Sequence, residues 1–368
     1  MQTPTPGVPP IRLIAWEVTR SCNLACKHCR AEARLDPYPG ELSTFEAKAL
    51  IDTFPECGEP IIIFTGGEPL LRRDIFELVE HARGKNLRCV MAPNGTLITE
   101  ELAEKIRGSG IARCSISLDG ADAAGHDVFR GVPGAFAAAL RGIELLKVRG
   151  VEFQINTTVT KGNLNSFKDI FALAEKLGAA AWHIFLLVPM GRAAALGEEV
   201  ISAAEYEEVL NWFYDFRKKA SMQLKATCAP HYYRIMRQRA RQEGLAVTPQ
   251  TFGLDAMTRG CLGGTGFCFI SHTGDVQPCG YLELDCGNVR NEGFPQIWQN
   301  AKVFREFRDQ SCYRGKCGSC EYHKVCGGCR ARAYSLTGDY LAEEPLCVFV
   351  PGREKKEGPR PPEQSGAQ

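Results

Sequence analysis

Three cysteines fall within eight residues of the sequence Cys22-Asn-Leu-Ala-Cys26-Lys-His-Cys29, separated by three residues and then by two. A structural metal site closed by protein alone takes four ligands, usually supplied as paired C-x2-C units. Three thiolates from one short loop can instead hold a cube of four irons and leave the fourth iron open. The competing reading is a zinc knuckle with His28 as fourth ligand, although no second C-x2-C unit lies nearby. Farther along, Thr65-Gly66-Gly67-Glu68-Pro69 places two residues without side chains beside a carboxylate. Gly66 and Gly67 let a ligand approach closely, and Glu68 can accept hydrogen bonds from an ammonium group. S-Adenosylmethionine (AdoMet), which carries an amine and a carboxylate, suits both an open iron and such a strand end.

A second field of cysteines lies near the other end. Of seventeen cysteines, ten fall between Cys261 and Cys347. Cys261, Cys268 and Cys279 flank a Thr273-Gly274 turn, and Cys317, Cys320, Cys326, Cys329 and Cys347 follow. These eight thiols could close two iron–sulfur cubes or two structural zinc sites, and donor chemistry suits both. Cys57, Cys89 and Cys114 sit among apolar residues and read as small buried hydrophobes. Cys228, in Ala-Thr-Cys-Ala-Pro-His-Tyr-Tyr-Arg, stays open.

The elements that must carry these groups are legible from periodicity. Short β-branched runs predict strands over 11–19, 60–65, 87–93, 112–118, 151–159 and 182–188. Amphipathic stretches alternate with them over 43–54, 72–85, 100–109, 135–150 and 166–178, and Ser43 with Glu46 forms a capping box. Six strands alternating with helices predict an α/β fold with a parallel sheet, either doubly wound or curled into a partial (β/α)6 TIM-like barrel. The polar motifs fall at or near the carboxyl ends of those strands, where such folds build active sites. Past residue 200 the pattern changes. A further helix capped by Ser202 and Glu205 precedes the basic, aromatic stretch 225–242, and 260–350 is rich in Gly and Cys. The expected organisation is a flexible start over 1–10, a barrel over 11–200, a helical bridge over 201–259, a small metal-bound domain over 260–350, and a disordered tail over 351–368.

Composition excludes several classes. The net charge of +1 gives no general attraction for nucleic acid. No apolar run approaches the length of a membrane span, and the first residues lack a signal-peptide pattern. Cysteines unpaired in a reducing compartment point to metal or redox chemistry in the cytoplasm.

The C-x3-C-x2-C loop after the first strand, paired with Gly-Gly-Glu-Pro after the second, resembles the signature of the radical AdoMet superfamily. That resemblance implies a [4Fe–4S] cluster on Cys22, Cys26 and Cys29 that cleaves AdoMet to a 5′-deoxyadenosyl radical. It further implies an AdoMet site lined by His28, Gly66, Gly67, Glu68, Asn94, Ser117, Asp119, Arg130 and Asn156. Residues 261–347 resemble the SPASM domain, a twin-cluster extension. This implies one auxiliary [4Fe–4S] cluster on Cys261, Cys268, Cys279 and Cys329, and another on Cys317, Cys320, Cys326 and Cys347, with Cys286 or Cys312 as substitutes. One departure is that Gly327 and Gly328 alone separate the third and fourth cysteines of the second group, where three residues are usual.

Nearly end to end, the chain resembles the heme synthases of the siroheme-derived pathway. The resemblance implies oxidative decarboxylation of two propionates of iron-coproporphyrin III to vinyl groups. Related tetrapyrrole enzymes, acting in acetate removal from didecarboxysiroheme or in heme d1 synthesis, share the cluster motifs. A SPASM peptide maturase is the other alternative, and a barrel starting near residue 11 is expected to leave no room for a peptide-recognition domain. His183, Arg192, Lys225, His231, Tyr232, Tyr233 and Arg234 are candidate substrate groups, because cationic forks and flat rings suit a planar polycarboxylate. The expected partners are that tetrapyrrole and a low-potential donor such as flavodoxin or ferredoxin, in an anaerobe. Neither nucleic acid nor membrane insertion is expected.

Overall fold

The computed structural model describes residues 7–352, so 1–6 and 353–368, including nearly all of the expected tail, lie outside the described residues. Six strands form at the expected places, the sixth starting one residue early: β1 (Leu13–Glu17), β2 (Ile61–Thr65), β3 (Arg88–Met91), β4 (Cys114–Ser117), β5 (Phe153–Val159) and β6 (Ala181–Leu186). The intervening helices are α1 (Thr44–Thr53), α2 (Ile75–Gly84), α3 (Glu100–Ser109), α4 (Ala123–Arg130), α5 (Ala135–Val148), α6 (Lys161–Leu164) and α7 (Phe167–Leu177). Among these α4 and the single turn α6 are unexpected, and α4 is the longer. Its sequence is weakly apolar, and it is held by its ends, with Asp122 accepting from the Gly125 N–H and Gly131 taking a left-handed φ of 72°.

The sheet does not stop at residue 200. The expected bridge holds α8 (Ala203–Arg217), then β7 (Gln223–Thr227), then α9 (His231–Gln242). Two further strands, β8 (Phe267–Ile270) and β9 (Val276–Gln277), come from the cysteine-rich region. All nine make one sheet in the order β7-β6-β5-β4-β3-β2-β1-β8-β9. Each neighbouring pair from β7 to β8 runs parallel, and only β8–β9 is antiparallel. The partial barrel is thus extended at both edges. β8 covers the open edge of β1, with Leu13 opposite Phe267 and Trp16 opposite Ile270. An uncovered parallel edge would expose a row of unpaired backbone groups.

Burial follows from this layering. Trp16, Phe64, Phe54 and Trp182 are fully buried where helices pack on the sheet, as both faces of a parallel sheet require. The indole of Trp182 donates to the Thr157 hydroxyl at 2.9 Å, so its one polar atom is satisfied. At α8, the Ser202 side chain accepts from Glu205 N while the Glu205 carboxylate accepts from Ser202 N. Ser202→Ala removes half of that box and costs about 1 kcal/mol. Amides in the first turn of α8 should then exchange with deuterium on the order of five-fold faster, while those of α5 stay unchanged.

Candidate functional site

The loop carrying the first three cysteines leaves the carboxyl end of β1, and a buried acid anchors it there. Glu17 is fully buried and accepts from Arg20 Nε at 2.9 Å and Arg30 Nη2 at 2.8 Å. His272 Nδ1, from the turn between β8 and β9, lies 2.9 Å from the same carboxylate. Burial alone would raise this carboxyl, but Arg30, His272 and Arg20 together hold it at about 2.

The glycines after β2 have a different role from the one expected. A Cβ on Gly66 would lie 2.4 Å from the Thr19 carbonyl oxygen, and one on Gly67 2.3 Å from that of Ser21. Their missing side chains make room for the cysteine loop itself. That contact is sealed by Gly67 N donating to Thr19 O and Glu68 N to Ser21 O, both at 2.8 Å. The Glu68 carboxylate is fully buried and accepts from the backbone N–H of Asn94 at 2.7 Å and of Leu70 at 3.1 Å. Desolvation raises it to about 7 in spite of those two bonds. Asn94 in turn donates to Asn23 at 2.8 Å, which ties the end of β3 to the same loop.

Cys22, Cys26 and Cys29 are brought close enough for the charge of one to be felt at another. Burial pushes the Cys22 thiol up to about 12, so binding a cation there must displace protons from desolvated thiols. Arg130, at the end of α4, points Nη1 at the Cys26 sulfur over 3.6 Å and pairs with the buried Asp119. Asp119 also accepts from Thr158 N at 2.7 Å. A guanidinium held by Asp119 thus faces a sulfur that becomes anionic when it ligates iron. His28 stacks on Phe129 with ring centroids 4.2 Å apart and 6° between planes. Desolvation, then the Arg130 charge, lowers its pKa to about 3, so the ring is neutral and flat. Three thiols and a flat ring on one loop, with a countercharge from the end of α4, fit a cluster with one open iron and an adenine-bearing ligand.

Across the sheet, Ser117, Asn156, His183 and Lys225 stand in one register row on β4, β5, β6 and β7. Gln154 bridges the middle of this row, with Nε2 2.9 Å from Asn156 Oδ1 and 3.0 Å from His183 Nδ1. Lys225 donates to the Tyr233 hydroxyl at 2.5 Å, with Asp255 3.8 Å away.

The other candidate substrate groups are engaged elsewhere. Arg192 donates from Nε to Cys26 O at 2.8 Å and from Nη1 to Ala33 O at 3.0 Å, so it staples the cysteine loop. His231, Tyr232 and Tyr233 are 0–1% exposed, because the first turn of α9 packs against α8 and the last cysteines. Arg234 is 3% exposed and forms a two-pronged pair with Glu207 on α8. The segment expected to face a porphyrin is therefore a core helix, and of the candidate substrate groups His183 and Lys225 remain in the strand row. A cavity of about 390 Å³ beside Arg234 lies between α8, α9 and Phe349, and no cysteine lines it.

The second cysteine field divides into two groups. Cys317, Cys320, Cys326 and Cys347 neighbour one another, with Arg330 Nη2 3.6 Å from the Cys317 sulfur. Cys261, Cys279 and Cys329 form the other group, and the fourth thiol there is that of Cys228. Cys268 is not among them. It sits on β8 opposite Ile14, fully buried, and its neighbouring thiols are Cys57 and Cys286. Cys312 lies beside Asp309 on the surface, so neither proposed substitute reaches a group. Gly327 and Gly328, with φ of 75° and 64°, let the chain turn between Cys326 in one group and Cys329 in the other. This reversal accounts for the short spacing. Among the described residues no three His, Cys, Asp or Glu side chains converge tightly enough for a single ion, while two sets of four thiols fit two cubes.

A parallel partial barrel with a three-cysteine loop at its strand ends, followed by grouped cysteines, defines a radical SAM enzyme with an iron–sulfur extension. Residues 16–174 match the Radical SAM superfamily, and residues 261–330 match the SPASM iron-sulfur cluster-binding domain. The solved structure of Streptococcus suis SuiB bound to S-adenosylmethionine superposes with a TM-score of 0.73 at 16% identity, over 93% of this chain and 78% of that one. The AdoMet-dependent heme synthase of Nitratidesulfovibrio vulgaris is 73% identical over 94% of this chain and 95% of its own. That of Oleidesulfovibrio alaskensis is 71% identical over 95% and 90%. The Fe-coproporphyrin III synthase of Methanosarcina barkeri is 32% identical over 92% and 88%. The chain belongs to the AdoMet-dependent heme synthase family of radical SAM enzymes, with [4Fe–4S] clusters and AdoMet as cofactors.

Gly67→Ala should push the Ser21 and Arg20 carbonyls aside and displace the cysteine loop. Reductive cleavage of AdoMet is expected to fall at least ten-fold with auxiliary iron retained. Gly108→Ala, on an open face of α3 with nothing within 4 Å, should leave cleavage unchanged.

Proposed function

We propose that this protein converts two propionate side chains of iron-coproporphyrin III to vinyl groups, yielding heme b. Each conversion turns a –CH2–CH2–COO⁻ group into –CH=CH2 with release of carbon dioxide, one hydrogen atom and one electron. The observation that carries this reading is the division of the cysteines into a set of three at the strand ends and two sets of four behind it. The set of three suits generation of a radical that accepts the hydrogen atom, and the sets of four suit clusters that accept the electron. Identity of 73% along almost the whole chain to a heme synthase supports the same substrate.

When bound, AdoMet and its reduced cluster supply the hydrogen-abstracting radical, and an auxiliary cluster supplies an electron acceptor. Cys22, Cys26 and Cys29 hold the first cluster, and Arg130 offsets the charge on Cys26. Gly66, Gly67, Glu68 and Asn94 keep the loop seated, while His28, Ser117, Asp119 and Asn156 border the space beyond it. Asp119 acts through Arg130 and Thr158 N, and His28 offers a neutral face. Lys225 is the cation placed to meet a propionate, with His183 beside it in the same row. Desolvation lowers the pKa of Lys225, though Asp255 opposes this, and an arriving carboxylate would act in the same sense as Asp255. A flavodoxin or ferredoxin as donor and a cytoplasmic setting complete the reading. Among the described residues no helix is long and apolar enough to cross a membrane.

Anaerobic incubation of the reconstituted protein with AdoMet, reductant and iron-coproporphyrin III should give a product lighter by two carbon dioxides and four hydrogens. Turnover of didecarboxysiroheme instead would overturn the assignment. The triple variant with Cys22, Cys26 and Cys29 replaced by Ala should retain about eight irons, from two four-iron cubes, and form no 5′-deoxyadenosine. Two equivalents of zinc in place of those irons would remove the electron acceptor from the scheme. Lys225→Ala should raise KM for the porphyrin about ten-fold or more with AdoMet cleavage intact, consistent with loss of one charge-assisted pair.

A further inference from the structure

Cys228 has features that a buried thiol acting only as packing would not need. It joins β7 to α9 with φ of 53°, one of only three non-glycine residues with positive φ among the described residues. That region is disfavoured for residues with a Cβ and persists where the surroundings impose it. The surroundings here are specific. The Cys228 carbonyl accepts from the Tyr206 hydroxyl at 3.0 Å and from Arg332 Nη2 at 3.1 Å. Arg332 also donates to the Leu186 carbonyl at the end of β6 and pairs with Glu344, whose carboxylate accepts from Cys329 N at 2.8 Å. One fully buried guanidinium therefore links the backbone of Cys228 to that of Cys329. On the other side, Gly260 is pressed against Pro230, where a Cβ would lie 2.5 Å from the proline Cβ. Pro230, the second residue after Cys228, thus packs against Gly260, the residue before Cys261.

Cys268 cannot take this place without rebuilding the sheet. Side chains alternate along a strand, and Phe269, next to it, faces Arg30 and Gly280 on the side of the cysteine loop. Cys268 points the other way, toward Cys57 and Cys286. A one-residue slip of β8 would exchange the two faces of the whole strand.

We propose that Cys228, and not Cys268, is the fourth ligand of the auxiliary cluster held by Cys261, Cys279 and Cys329. The barrel itself then contributes a thiolate to the second domain's cluster, from a turn whose backbone is set for it. The inference rests on the reading of that cysteine group as an iron–sulfur site. It assigns a ligand from outside the residues matched to the SPASM domain, 261–330. Tyr281 neighbours Cys228, Cys279 and Cys29 together.

The test is made in the variant lacking Cys22, Cys26 and Cys29, which isolates the auxiliary clusters. Iron and sulfide content and low-temperature EPR are compared after Cys228→Ala and after Cys268→Ala. The expected result is that Cys228→Ala loses about four irons or converts one cluster to a three-iron form, read as a new EPR signal of the oxidised protein. Cys268→Ala should keep the parent's iron and spectrum. Cys228→Ser, which can still ligate through oxygen, should keep four irons at that site with a shifted spectrum. This guards against reading misfolding as ligand loss. Unchanged spectra in both Cys228 variants, or loss confined to Cys268→Ala, would overturn the assignment. If the background variant itself holds no auxiliary iron, the cluster reading fails, and this ligand assignment fails with it. Retention of the background's full iron content with an unchanged spectrum in Cys228→Ala defeats only the ligand assignment.

Discussion

The buried carboxylate of Glu17 is the interaction on which the arrangement turns. It ends β1, and it binds two arginines of the cysteine loop and a histidine of the second domain at once. An isolated buried charge would be prohibitively costly, so all three cationic or donating partners must arrive together. Their arrival places the loop above the strand ends and seats the β8–β9 turn beside it. The radical-generating loop and the auxiliary domain are thus referred to one point of the barrel.

A second buried pair, Arg332 with Glu344, repeats this logic where the cysteine groups meet the barrel. Arg332 donates to carbonyls from the end of β6 and from the turn after β7, while Glu344 holds the backbone of Cys329. Neither charge is exposed to solvent. Paired buried charges with several fixed bonds set the placement of the cysteine groups against the barrel. His231 stands next to this pair, 4.0 Å from Glu344. Its ring is neutral, since desolvation and then the nearby Arg234 charge lower its pKa well below the ordinary histidine value.

The division of labour along the chain is consistent with the proposed chemistry. Polar groups that face the strand ends, from Ser117 to Lys225, come from successive strands at the same register. Arginines that were plausible substrate forks are instead spent on backbone carbonyls and glutamates of the scaffold, Arg192 on the loop and Arg234 on Glu207. An enzyme handling a reactive radical needs its first loop immobile, and Arg192 contributes to that from the end of the sixth unit.

The cysteine loop, the Gly-Gly-Glu-Pro turn, six strands and most helices were legible in the sequence, because spacing and periodicity are local and each motif is continuous. The two cysteine groups were legible in number for the same reason. Other features depended on contacts between distant segments. Gly66 and Gly67 signalled a close approach, but only packing identified the approaching partner as the loop's own backbone. The aromatic, basic segment 231–234 reads alike whether it faces a ligand or a core, and the packing of α9 on α8 decided for the core. β7 escaped notice because Gln223-Leu-Lys-Ala-Thr is short and half polar, and it becomes a strand by pairing with β6. The choice between Cys268 and Cys228 turned on the pairing of β8 with β1. That register sends one thiol into the core, and a residue 33 positions from Cys261 in sequence is brought beside it instead. Spacing can count thiols along a chain, but only tertiary structure determines which of them share a face.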